Sequence, residues 1–183
     1  IAATAVNKVY GTTLTGGSGY SAFTATGIVG SENPGTVTVT YVAGAAGNEN
    51  VGVYNNAIQL SSLTGGSGGF DANNYNINYT DASITVTPKS LSISGVGANN
   101  KPYDGNSDAT ISGTAALVGV EFGDDCTLNT SGATAAFASI NVSNNIQVNF
   151  SGYALSGTKA GNYTLNQPSS VNANIEPKAL TIT

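Results

Sequence analysis

Thr36-Val37-Thr38-Val39-Thr40-Tyr41-Val42 alternates without a break, with Val37, Val39 and Tyr41 on one face and threonines on the other. Successive side chains of a strand point to opposite sides, so this run reads as a strand with one buried face and one wet face. The same device returns in Ser83-Ile84-Thr85-Val86-Thr87, in Asn145-Ile146-Gln147-Val148-Asn149-Phe150 and in Ser170-Val171-Asn172-Ala173-Asn174-Ile175. Between these runs stand Gly16-Gly17-Ser18-Gly19, Asn33-Pro34-Gly35, Gly65-Gly66-Ser67-Gly68-Gly69 and Asp104-Gly105, all turn formers. No stretch keeps a 3.6-residue period. Ala133 to Phe137 is too short and too threonine-interrupted to make a helix. The expected fold is all-β.

Three landmarks recur in the same order. Lys8-Val9-Tyr10-Gly11 returns as Lys101-Pro102-Tyr103-Asp104-Gly105, 93 residues on; Asn74-Tyr75 returns as Asn162-Tyr163, 88 on; Thr87-Pro88-Lys89-Ser90-Leu91-Ser92-Ile93 returns as Glu176-Pro177-Lys178-Ala179-Leu180-Thr181-Ile182, 89 on. A fixed period of this size marks tandem modules. The spacing predicts modules at 1–88 and 89–177, with 178–183 as the first strand of a truncated third. Pro88 and Pro177 lack a donor N–H and so interrupt the ladder at each handover. A junction of one or two residues predicts two β-sandwich-like modules arranged end to end, and the abrupt ends suggest a piece of something longer.

Composition narrows the function. Of the 183 residues, 8% are charged, against roughly a quarter in a typical domain. Five lysines stand against ten acids, for a formal charge of −5, so no basic surface meets phosphates and nucleic acid is not an expected partner. No apolar run spans a bilayer, so membrane insertion is not expected either. Histidine is absent, which removes the side chain that moves protons near neutral pH and every Ser-His or Cys-His pair. No catalytic residue is assigned, and no enzyme is expected. Cys126 is the only cysteine, so no intrachain disulfide forms; it reads as a small buried hydrophobe.

At the repeat landmarks the chain resembles known modules. Lys8-Val9-Tyr10-Gly11, Val51-Gly52-Val53-Tyr54, Asn74-Tyr75 and Ile84-Thr85-Val86 resemble an MBG domain. Tyr103-Asp104-Gly105, Leu117-Val118-Gly119-Val120, Gly123-Asp124 and Ala160-Gly161-Asn162-Tyr163 resemble a YDG domain. The resemblance implies arrays within large secreted bacterial proteins, filamentous-haemagglutinin-like exoproteins and other adhesins, and hence an extracellular or cell-surface place. It brings no catalytic residues.

Four candidate chemistries remain. Asp104, Asn106 and Asp108 have the alternating rhythm of a calcium loop, the one metal or cofactor candidate in the chain. The pattern then fails at Ala109, where a glycine belongs, and at Ala115, where a glutamate belongs; Asx turns explain the run without metal. Glu121-Phe122-Gly123-Asp124-Asp125 reads as a solvated acidic turn. A lysine–asparagine cross-link would need a buried lysine beside an asparagine and an acid; Lys8, Lys89, Lys101 and Lys178 read instead as snorkelling lysines at module starts, leaving Lys159 near Asn162 as the candidate. Thr36, Thr38 and Thr40 would make a ligand face only if stacked against threonines on neighbouring strands. Tyr10, Tyr75, Tyr103 and Tyr163 fall on matched landmarks and are expected in the cores.

The expected function is a non-catalytic stalk or spacer of a bacterial surface adhesin, whose partners are the neighbouring modules of the same chain. The alternative is a module that binds glycans or other cell-surface molecules through Tyr20, Tyr79 and Tyr153.

Overall fold

Valine and isoleucine alternating with threonine and asparagine build strands throughout the computed structural model, which describes residues 1–182. Among these, helix is limited to two single 3-10 turns, Ala72–Asn74 and Ala160–Asn162. No helix is long and apolar enough to cross a membrane. The chain divides into two units, Ile1–Lys89 and Ser90–Thr183.

The first unit contains β1 (Ala2–Ala3), β2 (Val6–Val9), β3 (Gly17–Tyr20), β4 (Phe23–Thr24), β5 (Thr36–Tyr41), β6 (Gly52–Thr64) and β7 (Ala82–Thr87). Five of them form one sheet in the order β2-β7-β6-β5-β3, with β2 parallel to β7 and the other pairs antiparallel. β1 and β4 form a separate two-stranded ribbon. The decisive alternation holds: Val37, Val39, Ile84 and Val86 are buried. β6 departs from it, because Ala57 and Ile58 are both buried although adjacent. The left-handed backbone of Asn56 (φ 53°) lies where the β6–β7 register shifts, between Tyr54 and Ile58. The irregularity there sets four residues of β6 against two of β7 and re-aims the strand. Thr36 pairs with Thr64, but Thr38 and Thr40 face Ser61 and Gln59 on β6, so the threonine row is matched at one position only and does not continue as a face.

The second unit contains β8 (Lys89–Ala98), β9 (Lys101–Pro102), β10 (Ile111–Val118), β11 (Thr127–Asn129), β12 (Thr134–Phe137), β13 (Ser143–Ser151), β14 (Ala154–Ser156), β15 (Tyr163–Leu165) and β16 (Val171–Glu176). A four-stranded sheet runs β12-β13-β16-β9, a three-stranded one β10-β8-β15, and β11 pairs β14. Phe137, Ile146, Val148, Phe150, Ala173 and Ile175 of the first sheet form the core, with Ile93, Ile111 and Leu165 of the second packed against them. Two sheets facing each other over one apolar layer make a sandwich. The bulge between Gly113 and Ala116 brings two backbones together: a Cβ on Gly113 (φ 78°) would stand 2.2 Å from Gly95 O, so glycine is obligatory there.

Two of the three sequence landmarks take the same structural role in both units. β2 runs parallel to β7 as β9 runs parallel to β16. Tyr10 N–H donates to Thr87 O (2.9 Å), and Tyr103 N–H donates to Glu176 O (2.8 Å). The two 3-10 turns each deliver a tyrosine, Tyr75 and Tyr163. The expected strand at 178–183 is different: residues 178–182 carry no strand, and Thr183 lies outside the described residues. Leu91 and Ile93, the matching residues, sit in a strand between two neighbours, whereas no strand pairs with Leu180 and Ile182 among the described residues.

Candidate functional site

The polar groups of both units gather at two places, one around the landmark lysine and one around the landmark tyrosine. Lys8, on β2, is buried at 5% exposure, and its Nζ donates to Thr12 O (2.8 Å), Ala45 O (3.2 Å) and Ala46 O. An ammonium has three donors, and three carbonyls take them all. Burial pushes the Lys8 pKa down, and the Glu49 carboxylate partly opposes this. The expectation of a snorkelling lysine is therefore corrected. The loop wraps the head group because the strand aims it inward.

Lys101 does the same work with different ligands. Its Nζ donates to Asp104 Oδ1 (2.8 Å), Asn106 O (2.9 Å) and Asn106 Oδ1 (2.8 Å), and it stands 5.6 Å from the centre of the Phe137 ring. Two of the three residues of the candidate calcium loop thus hold an internal cation. Asn106 N–H donates to Asp104 Oδ1 (3.1 Å) and Asp108 N–H to Asn106 Oδ1 (2.9 Å), the Asx turns that the sequence suggested. The bond from Lys101 holds the Asp104 carboxyl below its ordinary value, with the Asn106 N–H adding to it. No group of three or more acids, cysteines or histidines is placed to hold a metal among the described residues.

Lys101 is placed against both an asparagine and an acid. An amide cross-link needs a neutral amine and a protonated acid beside it. Asp104 is exposed and held in its charged form, so the contact is a salt bridge.

Around the tyrosines a second device repeats. Tyr75 Oη donates to the Glu32 carboxylate and accepts the Val29 N–H (3.2 Å). Tyr163 Oη donates to Asp124 Oδ2 (2.7 Å) and accepts the Glu121 N–H (3.0 Å). In both units the amide and the acid are three residues apart and close one turn: Glu32 N–H donates to Val29 O (3.3 Å), Asp124 N–H to Glu121 O (2.9 Å). Each tyrosine therefore clamps a distant turn by both of its ends. The bond to Glu32 is the main reason that the Tyr75 phenol is pushed above its usual pKa. Asp125 has its own task, accepting the N–H and hydroxyl of Thr158 (both 2.9 Å). The acidic turn is thus a structural joint. The sequence does not announce Glu32 and Asp124 as the tyrosines' partners, because they lie 43 and 39 residues away.

The expected contact tyrosines do not converge. Tyr20 lies half-buried on edge strand β3. Tyr79 is exposed, and its hydroxyl accepts the Leu63 N–H (3.1 Å). Tyr153 is only 5% exposed and belongs to the second unit's core, so it offers no surface; its N–H and carbonyl pair with the Gln167 amide instead. Tyr103, expected in the core, stands 38% exposed, whereas Tyr10 and Tyr163 are buried and Tyr75 is half-buried. Tyr103 follows the two-residue β9 where Tyr10 follows the four-residue β2, and both still donate their N–H to the paired strand. Cys126 is buried, and burial pushes its thiol pKa up.

Residues 87–171 match the YDG domain. The match covers the Lys101 loop and the Tyr163 clamp complete. No curated protein and no solved structure matches the chain.

Proposed function

We propose that the chain is a non-catalytic spacer segment of a secreted or surface-exposed bacterial adhesin, an MBG-like module followed by the YDG domain. The observation that carries this reading is the recurrence of the lysine loop and the tyrosine clamp in both units. In each, the landmark lysine and a tyrosine–acid pair are engaged in holding loops in place. Repetition of a joint is what an array of modules needs; a binding or reacting centre needs polar groups left facing a ligand. A single residue, Pro88, separates β7 from β8, a junction far shorter than a flexible Gly/Ser tether.

The glycan-binding alternative loses Tyr153 to the core, and the Tyr79 hydroxyl is already engaged. Small-angle scattering tests the spacer. A compact globule of 183 residues has a radius of gyration of about 16 Å. A spacer exceeds that value; a measured radius at the globular value overturns the proposal.

A further inference from the structure

The Lys101 loop carries a peptide bond that can rearrange by itself. Asp104 is the one aspartate of the chain that is followed by glycine. Its side chain is 44% exposed, and a Cβ built on Gly105 would meet nothing within 4 Å, so water reaches both residues. Gly105 has a left-handed backbone (φ 83°), which favours glycine at this place. No side chain therefore shields its nitrogen from the neighbouring carboxyl. The first unit has no counterpart: Tyr10 is followed directly by Gly11, and Lys8 is held by carbonyls alone.

The rearrangement needs nothing but water. The Gly105 nitrogen bonds to Asp104 Cγ, and its proton leaves with the carboxyl hydroxyl as water, closing a succinimide ring. Water then opens the ring in one of two ways. Addition at Cγ, with cleavage of the Cγ–N bond, restores aspartate. Addition at the Asp104 main-chain carbonyl, with cleavage of its bond to the Gly105 nitrogen, leaves the chain running through Cγ as isoaspartate. The mass is unchanged, and the backbone is longer by one methylene.

Two contacts oppose the first step. Only a protonated carboxyl has a hydroxyl to lose, and Lys101 Nζ, 2.8 Å from Asp104 Oδ1, favours the charged form. The carboxyl must also turn Cγ toward the Gly105 nitrogen, whereas the Asn106 N–H, 3.1 Å from the same Oδ1, pins it in an Asx turn. Lys101 is itself held by Asn106 O (2.9 Å) and Asn106 Oδ1 (2.8 Å), which keep the ammonium on the carboxylate. We propose that Asp104-Gly105 is a site of spontaneous isoaspartate formation and that Lys101 holds it unreacted. Conversion moves the carboxyl onto a shorter arm and away from Lys101, so the loop loses the contact that protected it.

The test is to age the natural chain in warm neutral buffer beside Lys101→Met, Tyr163→Phe and a synthetic peptide of residues 99–110. Isoaspartate is counted at each aspartate by electron-transfer fragmentation and by labelling with an isoaspartate methyltransferase. The expected result is accumulation at Asp104 and not at Asp71, Asp81 or Asp108, each of which is followed by alanine. It is expected to be slow in the natural chain and several times faster in Lys101→Met and in the peptide. Tyr163→Phe loosens the second unit away from this loop and is expected to keep the natural rate. Comparison of the natural chain with the peptide needs no variant and stands whether or not Lys101→Met folds. A natural chain that ages as fast as the peptide, a Lys101→Met rate equal to the natural one, or an equal acceleration in Tyr163→Phe overturns the proposal.

Discussion

The first unit buries its landmark lysine and leaves its clamp tyrosine half-covered; in the second the lysine is half-buried and the clamp tyrosine is buried. Lys8 is enclosed by three carbonyls, whereas Lys101 sits near the surface on an exposed carboxylate and an asparagine. Tyr163 is buried with its acid, whereas Tyr75 is half-buried and stacks on Phe70 at 5.3 Å. The comparison teaches that a repeat preserves roles rather than environments. A cation at the strand entrance needs three acceptors in either unit, but only the surface loop can use a charged one without desolvating it. A turn far along the chain needs a clamp in either unit, and the tyrosine's reach is the same whether or not the ring is covered.

The largest effect that could break this comparison is at the tyrosines. Tyr163→Ala removes a buried ring and both bonds of its clamp, and is expected to lower stability by about 3–5 kcal/mol. Tyr75→Ala removes a ring already half in solvent, and about 1–3 kcal/mol is expected, the range of ordinary substitutions. Denaturant titration, followed unit by unit through amide resonances, measures both. Equal losses would mean that the clamp dominates and burial does not. Tyr163→Phe separates the two contributions, since it keeps the ring and deletes the hydroxyl.

The lysines come next. Lys8→Met keeps the stem and leaves three inward-facing carbonyls without their donor; an unsatisfied buried group costs about 1–3 kcal/mol. Lys101→Met opens its acceptors to water, so a smaller loss is expected in the same titration. A larger loss at Lys101 would reverse the ranking and show that the surface pair, not the buried cage, secures the entrance.

How far the sequence foretold this depends on the range of the interaction. Val37, Val39, Ile84 and Val86 announce their burial because alternation is local and each strand keeps it. The parallel pairing of β2 with β7 and of β9 with β16 was not legible, although the repeat pointed to matched roles. Ala57 beside Ile58 could not be read, because a bulge at an asparagine leaves no pattern that differs from a polar interruption. Glu32 and Asp124 lie 43 and 39 residues from their tyrosines. Nothing local distinguishes an acid that clamps from an acid that is merely solvated. Lys101 against Asp104 and Asn106 was within reach, being a contact of three and five residues, but the Asx turns alone account for the run and leave no unmet partner that would point to a lysine.

Acid and alkali sharpen the comparison further. Asp104 and Asp125, both in the second unit, have carboxyls held below the ordinary 3.8, Asp104 by Lys101 and Asp125 by the Thr158 N–H. A depressed carboxyl contributes stability that is complete above the unfolded value and is lost as pH falls through the folded one. The second unit is therefore expected to weaken below pH 3.8 more than the first. In the first unit the phenols are raised above the ordinary 10.0, Tyr75 by Glu32 and Tyr41 and Tyr54 by burial. Their contribution is complete below pH 10.0 and is lost above it. Lys8 works the other way: its lowered pKa means that the folded chain gives up this proton more readily than the unfolded one, so the cost of burying the ammonium is present at neutral pH and is relieved as pH rises toward 10.5. Amide exchange at acid and neutral pH measures the acid arm, and equal loss in both units would show that the surface carboxylates carry nothing.

The smallest expected effect is that of calcium, where the comparison predicts none in either unit. Carbonyls hold the first unit's cation site, with Lys8 inside. In the second, Asp104 Oδ1, Asn106 Oδ1 and Asn106 O, the oxygens a metal would use, already surround Lys101 Nζ at 2.8–2.9 Å. A divalent ion would have to expel an ammonium that is tethered by its own strand and cannot diffuse away, and then find further oxygens where Ala109 and Ala115 offer no side-chain donor. A ligand stabilises the fold it binds by an amount that rises with concentration over its dissociation constant, about 2.7 kcal/mol at a hundredfold excess. Thermal unfolding of the natural chain is accordingly expected to be the same in millimolar calcium and in chelator. Lys101→Met is the sharper probe, since it empties the loop of its cation while keeping Asp104, Asn106 and Asp108. A calcium shift in that variant alone would show that the lysine is what excludes the metal; a shift in the natural chain would show that the ammonium yields its place, and the likeness between Lys8 and Lys101 would then be one of sequence only.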